Sequence, residues 1–462
     1  MRNSIAGSAI PLLAGLLACS STTGVGDAPA DTPSRPRAVT VGSLSIAPIF
    51  GSHMVLQRGV PVPVFGTADP GATVTVRFGG QTASSVAASD GAWRVNLASM
   101  AASTAPATMS VSSGTSTAEF AGVQVGEVWA CSGQSNMDMR LDEANGGTTE
   151  AQKASSYNLR LFLMKSGNGP STTTWKVSDP ATAATFSAAC YWFGLELAKL
   201  WNVPIGLVQA THDGTNISEW QTTNGGTGAD YLAMVKPIQP YAIKGVNWYQ
   251  GESNGGDAAY EKKLTDMIAE WRADWGRPDL PFGIVQLPGS GGTGAREGQF
   301  NVSVKVPNTF LVVTSDLPGG SQLHPTEKKP IGIRLGLGAR GKVYGEPIVY
   351  SGPVRNPAGS YRSGSKLVLK FDFAGNGLIR RTGTSLVAFQ IADASNRFQT
   401  ATANIVGPDL VEVFSSRITT PTRVRYGYGT VGNLSNAVSI AVEGGASTVT
   451  QLPGSQFDLV VP

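Results

Sequence analysis

The 462-residue chain is poor in charge, in cysteine and in histidine. Charged residues make up 15% of it and the formal net charge is +3 with no basic stripe, so nucleic-acid binding has no support. Three cysteines are too few for a disulfide scaffold. There is no His/Cys cluster of metal-ligand spacing and no glycine-rich phosphate loop, so neither a metal nor any other cofactor is expected. Long apolar runs are also lacking: the run at residues 5–18 is too short to span a bilayer permanently. What is abundant is Gly (57) and Pro (28), together with Thr, Ser and Val, as in a turn-rich protein with much β structure. The length implies two or three domains.

Arg2 opens a short basic region, and Leu16-Leu17-Ala18-Cys19 has the form of a lipoprotein signal-peptidase site. Residues 1–19 are therefore expected to be a signal peptide, with Cys19 the lipidated first residue of a periplasmic or cell-surface protein. That lipid is the only membrane contact expected. Residues 20–42, without hydrophobic period, read as a flexible tether.

From 43 to 122, short alternating runs at 60–65, 73–78, 93–97 and 109–111 predict a small β-sandwich, with Pro61 and Pro63 demoting the first run to an edge. From 123 to 342 strands alternate with helices: apolar runs at 159–164, 205–210, 242–249, 281–287 and 310–314, helices over 187–201 and 260–275. This predicts an α/β domain with a mainly parallel sheet and helices on both faces. From 343 to 462 the helical period disappears and a C-terminal β domain is expected.

The stretch around which the chain is organised is Val125-Gly126-Glu127-Val128-Trp129-Ala130-Cys131-Ser132-Gly133-Gln134-Ser135-Asn136-Met137. A buried strand breaks into a turn of small and polar residues, placing Ser135 at the carboxyl edge of a sheet, where open α/β sheets hold ligands. Taken alone, an ordinary strand-to-loop turn has the same pattern. This block resembles the first block of the sialate O-acetylesterase family, within the SGNH hydrolases. Asn247-Trp248-Tyr249-Gln250-Gly251-Glu252-Ser253-Asn254 resembles the third block, and Leu323-His324-Pro325 with Lys328, Gly332, Arg334 and Leu335 resembles the last. The similarity runs from about Ile46 to the C-terminus. It implies an SGNH flavodoxin-like three-layer sandwich flanked by N-terminal and C-terminal β-sandwich domains. The activity it implies is that of a serine esterase removing O-acetyl groups from carbohydrates, with O-acetyl sialic acid as the expected substrate. Acetylxylan or another glycan, or a non-catalytic carbohydrate-binding lipoprotein, are the alternatives.

Such chemistry needs a nucleophile, a base titrating near neutral pH, and donors aimed at the oxyanion. Ser135 is the nucleophile candidate. Of three histidines, His53 and His212 read as structural, while His324 follows the strand at 310–314 and reaches the same sheet edge as Ser135. The resemblance assigns the oxyanion donors to the Ser135 N–H, to Gly214 and to Asn254, although Asp213 stands where the family often has a further glycine. The chain departs from the family at the acid before the histidine, where Ser321 and Gln322 stand. Either Asp316, the nearest preceding acid, or a backbone carbonyl is left to orient the ring. Gln134, Gln250 and Glu252 are expected to contact substrate. Trp129 and Trp248 read as core, whereas Trp220 and Tyr249 suit core packing and sugar stacking equally. Arg296 meets a sugar acid's carboxylate or a structural acid. Asp138 reads as solvated or capping a helix. Cys131 and Cys190 fit either one disulfide or two buried thiols.

Overall fold

The computed structural model describes residues 39–41, 43–165, 174–223, 225–289, 292–319, 322–442 and 447–461. The expected signal peptide, its lipidation site and most of the tether lie outside these residues.

The amino-terminal part is all β. Thr73–Phe78 and Ala92–Leu97 alternate between the core and the surface, as half-buried strands must. Val62–Thr67, expected at an edge because of its prolines, lies between Leu44–Ile46 and Ala92–Leu97. The proline rule is still obeyed locally. Pro63 pairs only with Asn96, and the second neighbour joins at Gly66 and Thr67, beyond the residue that lacks a donor.

The strand β1, Ser116–Gly133, runs 18 residues. Its first half pairs antiparallel with Ser103–Ser113 and its middle pairs with Val55–Gln57. Its last residues form the centre of the second sheet, so the expected division at 122/123 falls inside one continuous strand. Further strands are β2 (Leu159–Lys165), β3 (Ile205–Thr211), β4 (Gly245–Tyr249), β5 (Phe282–Gln286) and β6 (Thr309–Val313). They lie in the order β2-β3-β1-β4-β5-β6 and are all parallel, with a short antiparallel strand, Lys176–Val177, beside β2. Every residue of β3 to β6 is buried, which explains why these segments read as unbroken apolar runs rather than alternating ones.

Among the described residues, four longer helices cover the sheet: α1 (Ala188–Trp201), α2 (Tyr260–Trp275), α3 (Thr293–Lys305) and α4 (Lys329–Gly338). They pack as two pairs, α1 with α4 and α2 with α3. The Ser187 hydroxyl caps α1 by accepting from the Cys190 N–H at 3.2 Å. In α2 the stripe Tyr260, Leu264, Met267, Ile268, Trp271 and Trp275 is buried, as its spacing predicts. The alternative left open for the cysteines resolves as a disulfide: Cys131 on β1 is bonded to Cys190 on α1, and both are fully buried. Among the described residues the carboxy-terminal part has three small sheets whose paired strands are antiparallel. The architecture is thus a mixed α/β fold whose parallel sheet places β1 near its middle.

Candidate active site

Parallel strands deliver their following loops to one edge, and here β1, β3 and β4 end side by side. Two glycines make the close approach possible. Gly133 has φ +141°, and a Cβ there would lie 2.1 Å from the Tyr249 carbonyl oxygen; Gly251, two residues past the end of the neighbouring strand β4, has φ +142°. The backbone then locks: the Gln134 N–H donates to Tyr249 O at 3.2 Å, and the His212 N–H donates to Gly133 O at 3.1 Å. Ser135 follows at the start of a single helical turn, Ser135–Asp138.

His324 comes from the loop between β6 and α4 and sets its Nε2 2.7 Å from the Ser135 Oγ. The two residues open onto a cavity of about 270 Å³ that is also lined by Asp138, Met139, Arg140, Glu143 and Asp213. A larger concavity, about 370 Å³, lies at the opposite, amino-terminal ends of the strands around Glu127 and Lys244 and includes no serine–histidine contact.

Asp316 does not serve the imidazole. Both its carboxylate oxygens take hydrogen bonds from Arg334, Nη1 and Nη2 each at 2.7 Å, in a fork-to-fork pair. The pair is nearly buried, at 8% and 11% side-chain exposure, so removing one partner strands a charge. Among the described residues no carboxylate is hydrogen bonded to the other ring nitrogen of His324. Asp316→Asn is therefore expected to lose about 3 kcal/mol of stability by the buried-pair rule, while kcat stays within a few-fold of wild type. Thermal melts and acetate release check this together, and a melt left intact beside a collapse in kcat would restore Asp316 to the catalytic set.

Of the expected oxyanion donors, Asn254 is turned away. Its Oδ1 accepts from the Ile217 N–H at 2.9 Å and from Gln250 Nε2 at 2.8 Å, and its Nδ2 donates to Asp257. The N–H groups of Ser135 and Gly214 donate to no hydrogen bond among the described residues. Gly214 has φ +72° and its loop is tied through its own carbonyl, which accepts from Ser253 Oγ at 3.0 Å.

The residues expected to touch substrate are mostly occupied in holding loops together. Gln134 accepts from the N–H groups of Gly251 and Ser253. Gln250 is fully buried, donating to Thr215 O and to Asn254. Trp220 and Tyr249 are core residues, and Trp220 Nε1 donates to Thr215 Oγ1 at 3.0 Å. Arg296 is buried against the carboxy-terminal part, donating to Gly427 O at 3.3 Å, and its burial brings its pKa down to about 10. The neighbouring Glu297 accepts from the Tyr428 hydroxyl. Arg296, expected to meet a sugar acid or a structural acid, thus stands in a docking seam, where α3 packs against the last strand, Phe457–Val460.

Glu252, expected to contact substrate, accepts from Nδ2 of Asn136, the residue after Ser135. Asp138, expected to be solvated or capping, accepts from Gln209 Nε2 and from Thr211 Oγ1 at the cavity wall. His212 sits with Nδ1 2.8 Å from the buried Asp230, and this hydrogen bond raises its pKa. His212, Glu219 and Asp230 bring possible ligand atoms within 4.8 Å of one another, but His212 is bound to Asp230 and Glu219 to Asn216, so the group is closed on itself. His53 joins the first strands to β1, its N–H donating to Ala121 O at 2.7 Å. Sequence reasoning gave no role to Asn136 and Lys328, although both stand within the motif blocks. It also passed over Arg140, Glu143 and Asp213 as cavity walls; the first two follow Ser135 by only a few residues.

Residues 125–336 match the family model described as carbohydrate esterase, sialic acid-specific acetylesterase. Sialate O-acetylesterases are similar to the chain: that of Homo sapiens is 29% identical over 384 residues, covering 67% of this chain and 73% of the relative. That of Mus musculus is 29% identical over 433 residues, covering 71% and 78%. Among solved structures, a carbohydrate acetylesterase from Xanthomonas citri superposes with a TM-score of 0.76 at 32% identity, covering 90% of this chain and 99% of that one.

Proposed function

The chain belongs to the sialate O-acetylesterase family of carbohydrate esterases and is a carbohydrate O-acetylesterase; from that premise we propose that Ser135 and His324 perform the hydrolysis as a dyad. The observation that carries this reading is the 2.7 Å contact between Ser135 Oγ and His324 Nε2 at the mouth of a cavity. Ser135 Oγ attacks the acetyl carbonyl carbon as its proton passes to Nε2. The oxyanion forms against the N–H groups of Ser135 and Gly214, which donate to no hydrogen bond among the described residues. Collapse of the tetrahedral species breaks the bond to the sugar oxygen, which takes the proton from His324. Water, deprotonated by the same nitrogen, then attacks the acetyl-enzyme; collapse breaks the bond to Ser135 Oγ, which takes the proton back from His324 as acetate leaves.

The proposed substrate is an O-acetylated sugar, and the names of the relatives put O-acetyl sialic acid first. One observation favours a neutral acetylated glycan such as acetylxylan as the second reading. The cavity wall has three carboxylates, Asp138, Glu143 and Asp213, against one guanidinium, Arg140, which is already bonded to Asp142. A sugar acid would meet that wall with its own negative charge. The fold reading that goes with the proposal is an SGNH flavodoxin-like three-layer sandwich between two β-sandwich domains. Its support is the parallel strand order and the two helix pairs. Export to the periplasm or cell surface, with a lipid on Cys19, is proposed from the amino-terminal signal; the Cys131–Cys190 disulfide suits such an oxidising compartment.

The test is acetate release from p-nitrophenyl acetate, then from O-acetyl sialosides and acetylated xylo-oligosaccharides. Ser135→Ala is expected to abolish turnover on all of them, and equal rates for variant and wild type would remove the proposal.

A further inference from the structure

A serine–histidine dyad without a carboxylate behind the ring must orient an exposed loop histidine by some other means. The residue beside the nucleophile supplies one. Asn136 is 1% exposed and its amide is fully engaged. Its Nδ2 donates to the carbonyl of Leu323 at 2.9 Å and to the Glu252 carboxylate, and its Oδ1 accepts from Lys328 Nζ at 2.5 Å. Leu323 is the residue immediately before His324, so Asn136 ties the peptide adjoining Ser135 to the peptide adjoining the base. A cation on the amide oxygen and a carboxylate on the amide nitrogen fix which way the group faces. Were it flipped, oxygen would oppose oxygen at both Leu323 and Glu252.

Lys328 is fully buried, with its ammonium 5.2 Å from the centre of the Tyr249 ring. Burial lowers its pKa to about 7 and raises that of Glu252. Groups that are costly to enclose are thus gathered at one spot behind the nucleophile, drawn from the β4 loop and the start of α4. Given the dyad reading on which it rests, we propose that Asn136, held by Lys328 and Glu252, is the positioning residue that takes over the orienting task of the missing triad acid. It acts on His324 through the backbone instead of through the imidazole.

Asn136→Asp keeps the shape and the Lys328 partner but sets an oxygen against Leu323 O. It is expected to lower kcat about 100-fold, as a misplacement of about 1 Å does, with KM changed less than about twofold. The acid limb of kcat/KM is expected to move to higher pH, because the added negative charge favours the imidazolium. Lys328→Met is expected to behave similarly in kcat, and Lys328→Gln, which retains a donor for Oδ1, to recover at least about tenfold over it. Should Asn136→Asp not fold, the Lys328 pair decides. Folded Asn136→Asp or Lys328→Met protein with wild-type kcat and pH profile would overturn the inference while leaving the dyad in place. Turnover by Ser135→Ala, measured alongside, would instead remove the dyad reading and this inference with it.

Discussion

His324→Ala is expected to reduce kcat for acetate release roughly a hundred-thousandfold, or about 7 kcal/mol in activation free energy. The imidazole serves every proton transfer of the proposed cycle, and its Nε2 is the group hydrogen bonded to the Ser135 hydroxyl. Two nearby carboxylates are already engaged: Asp316 by Arg334, and Asp138 by Gln209 and Thr211. The double variant with Ser135→Ala is expected to be no slower than either single one, because the two groups act as a unit. KM should change little, since truncating the ring leaves the cavity walls at Asp138, Arg140 and Glu143 in place. Steady-state kinetics on p-nitrophenyl acetate and on an acetylated sugar check both statements. A His324→Ala enzyme within tenfold of wild type would mean that another base is at work.

Removing the disulfide should produce the largest loss of stability. Cys131 and Cys190 are 59 residues apart, and the chain-entropy model gives about 4 kcal/mol for closing a loop of that length. The bond also joins the strand that presents Ser135 to the helix that packs against α4, the element following the His324 loop. A Cys131→Ala/Cys190→Ala protein is therefore expected to melt well below wild type and to lose activity on warming before it unfolds globally. Differential scanning calorimetry of the oxidised, reduced and doubly substituted forms measures the first effect. Identical melts for all three would show that the bond does not hold the fold.

Much of the scaffold was legible because buried parallel strands and amphipathic helices leave strong periodic marks. The apolar run at 205–210 and the stripe from Tyr260 to Trp275 are cases in point. The serine and the histidine were legible because both sit where a strand gives way to a polar turn on one sheet edge. The direction of the polar side chains around them was not. Gln134, Gln250 and Asn254 stand in loops packed against other loops, where unpaired backbone groups claim them before any substrate can. Asp316 lies in the right region of the chain, but its partner Arg334 is 18 residues away on a helix, at no period that marks an ion pair. Trp220 and Tyr249 resemble sugar platforms by type alone; burial decides otherwise. The signal for Lys328 was present in principle, as a lysine one residue before a helix that has Pro330 in its first turn and turns apolar, yet nothing nearby in sequence named Asn136 and Glu252 as its company.

The 18-residue strand Ser116–Gly133 belongs to two sheets at once. Shortening the protein at its apparent domain border would leave one fragment with a raw, unpaired ladder and the other with a frayed central rung. Both are invitations to self-association. The amino-terminal part is thus no detachable appendage, and any exchange of modules between relatives would have to transplant the strand whole.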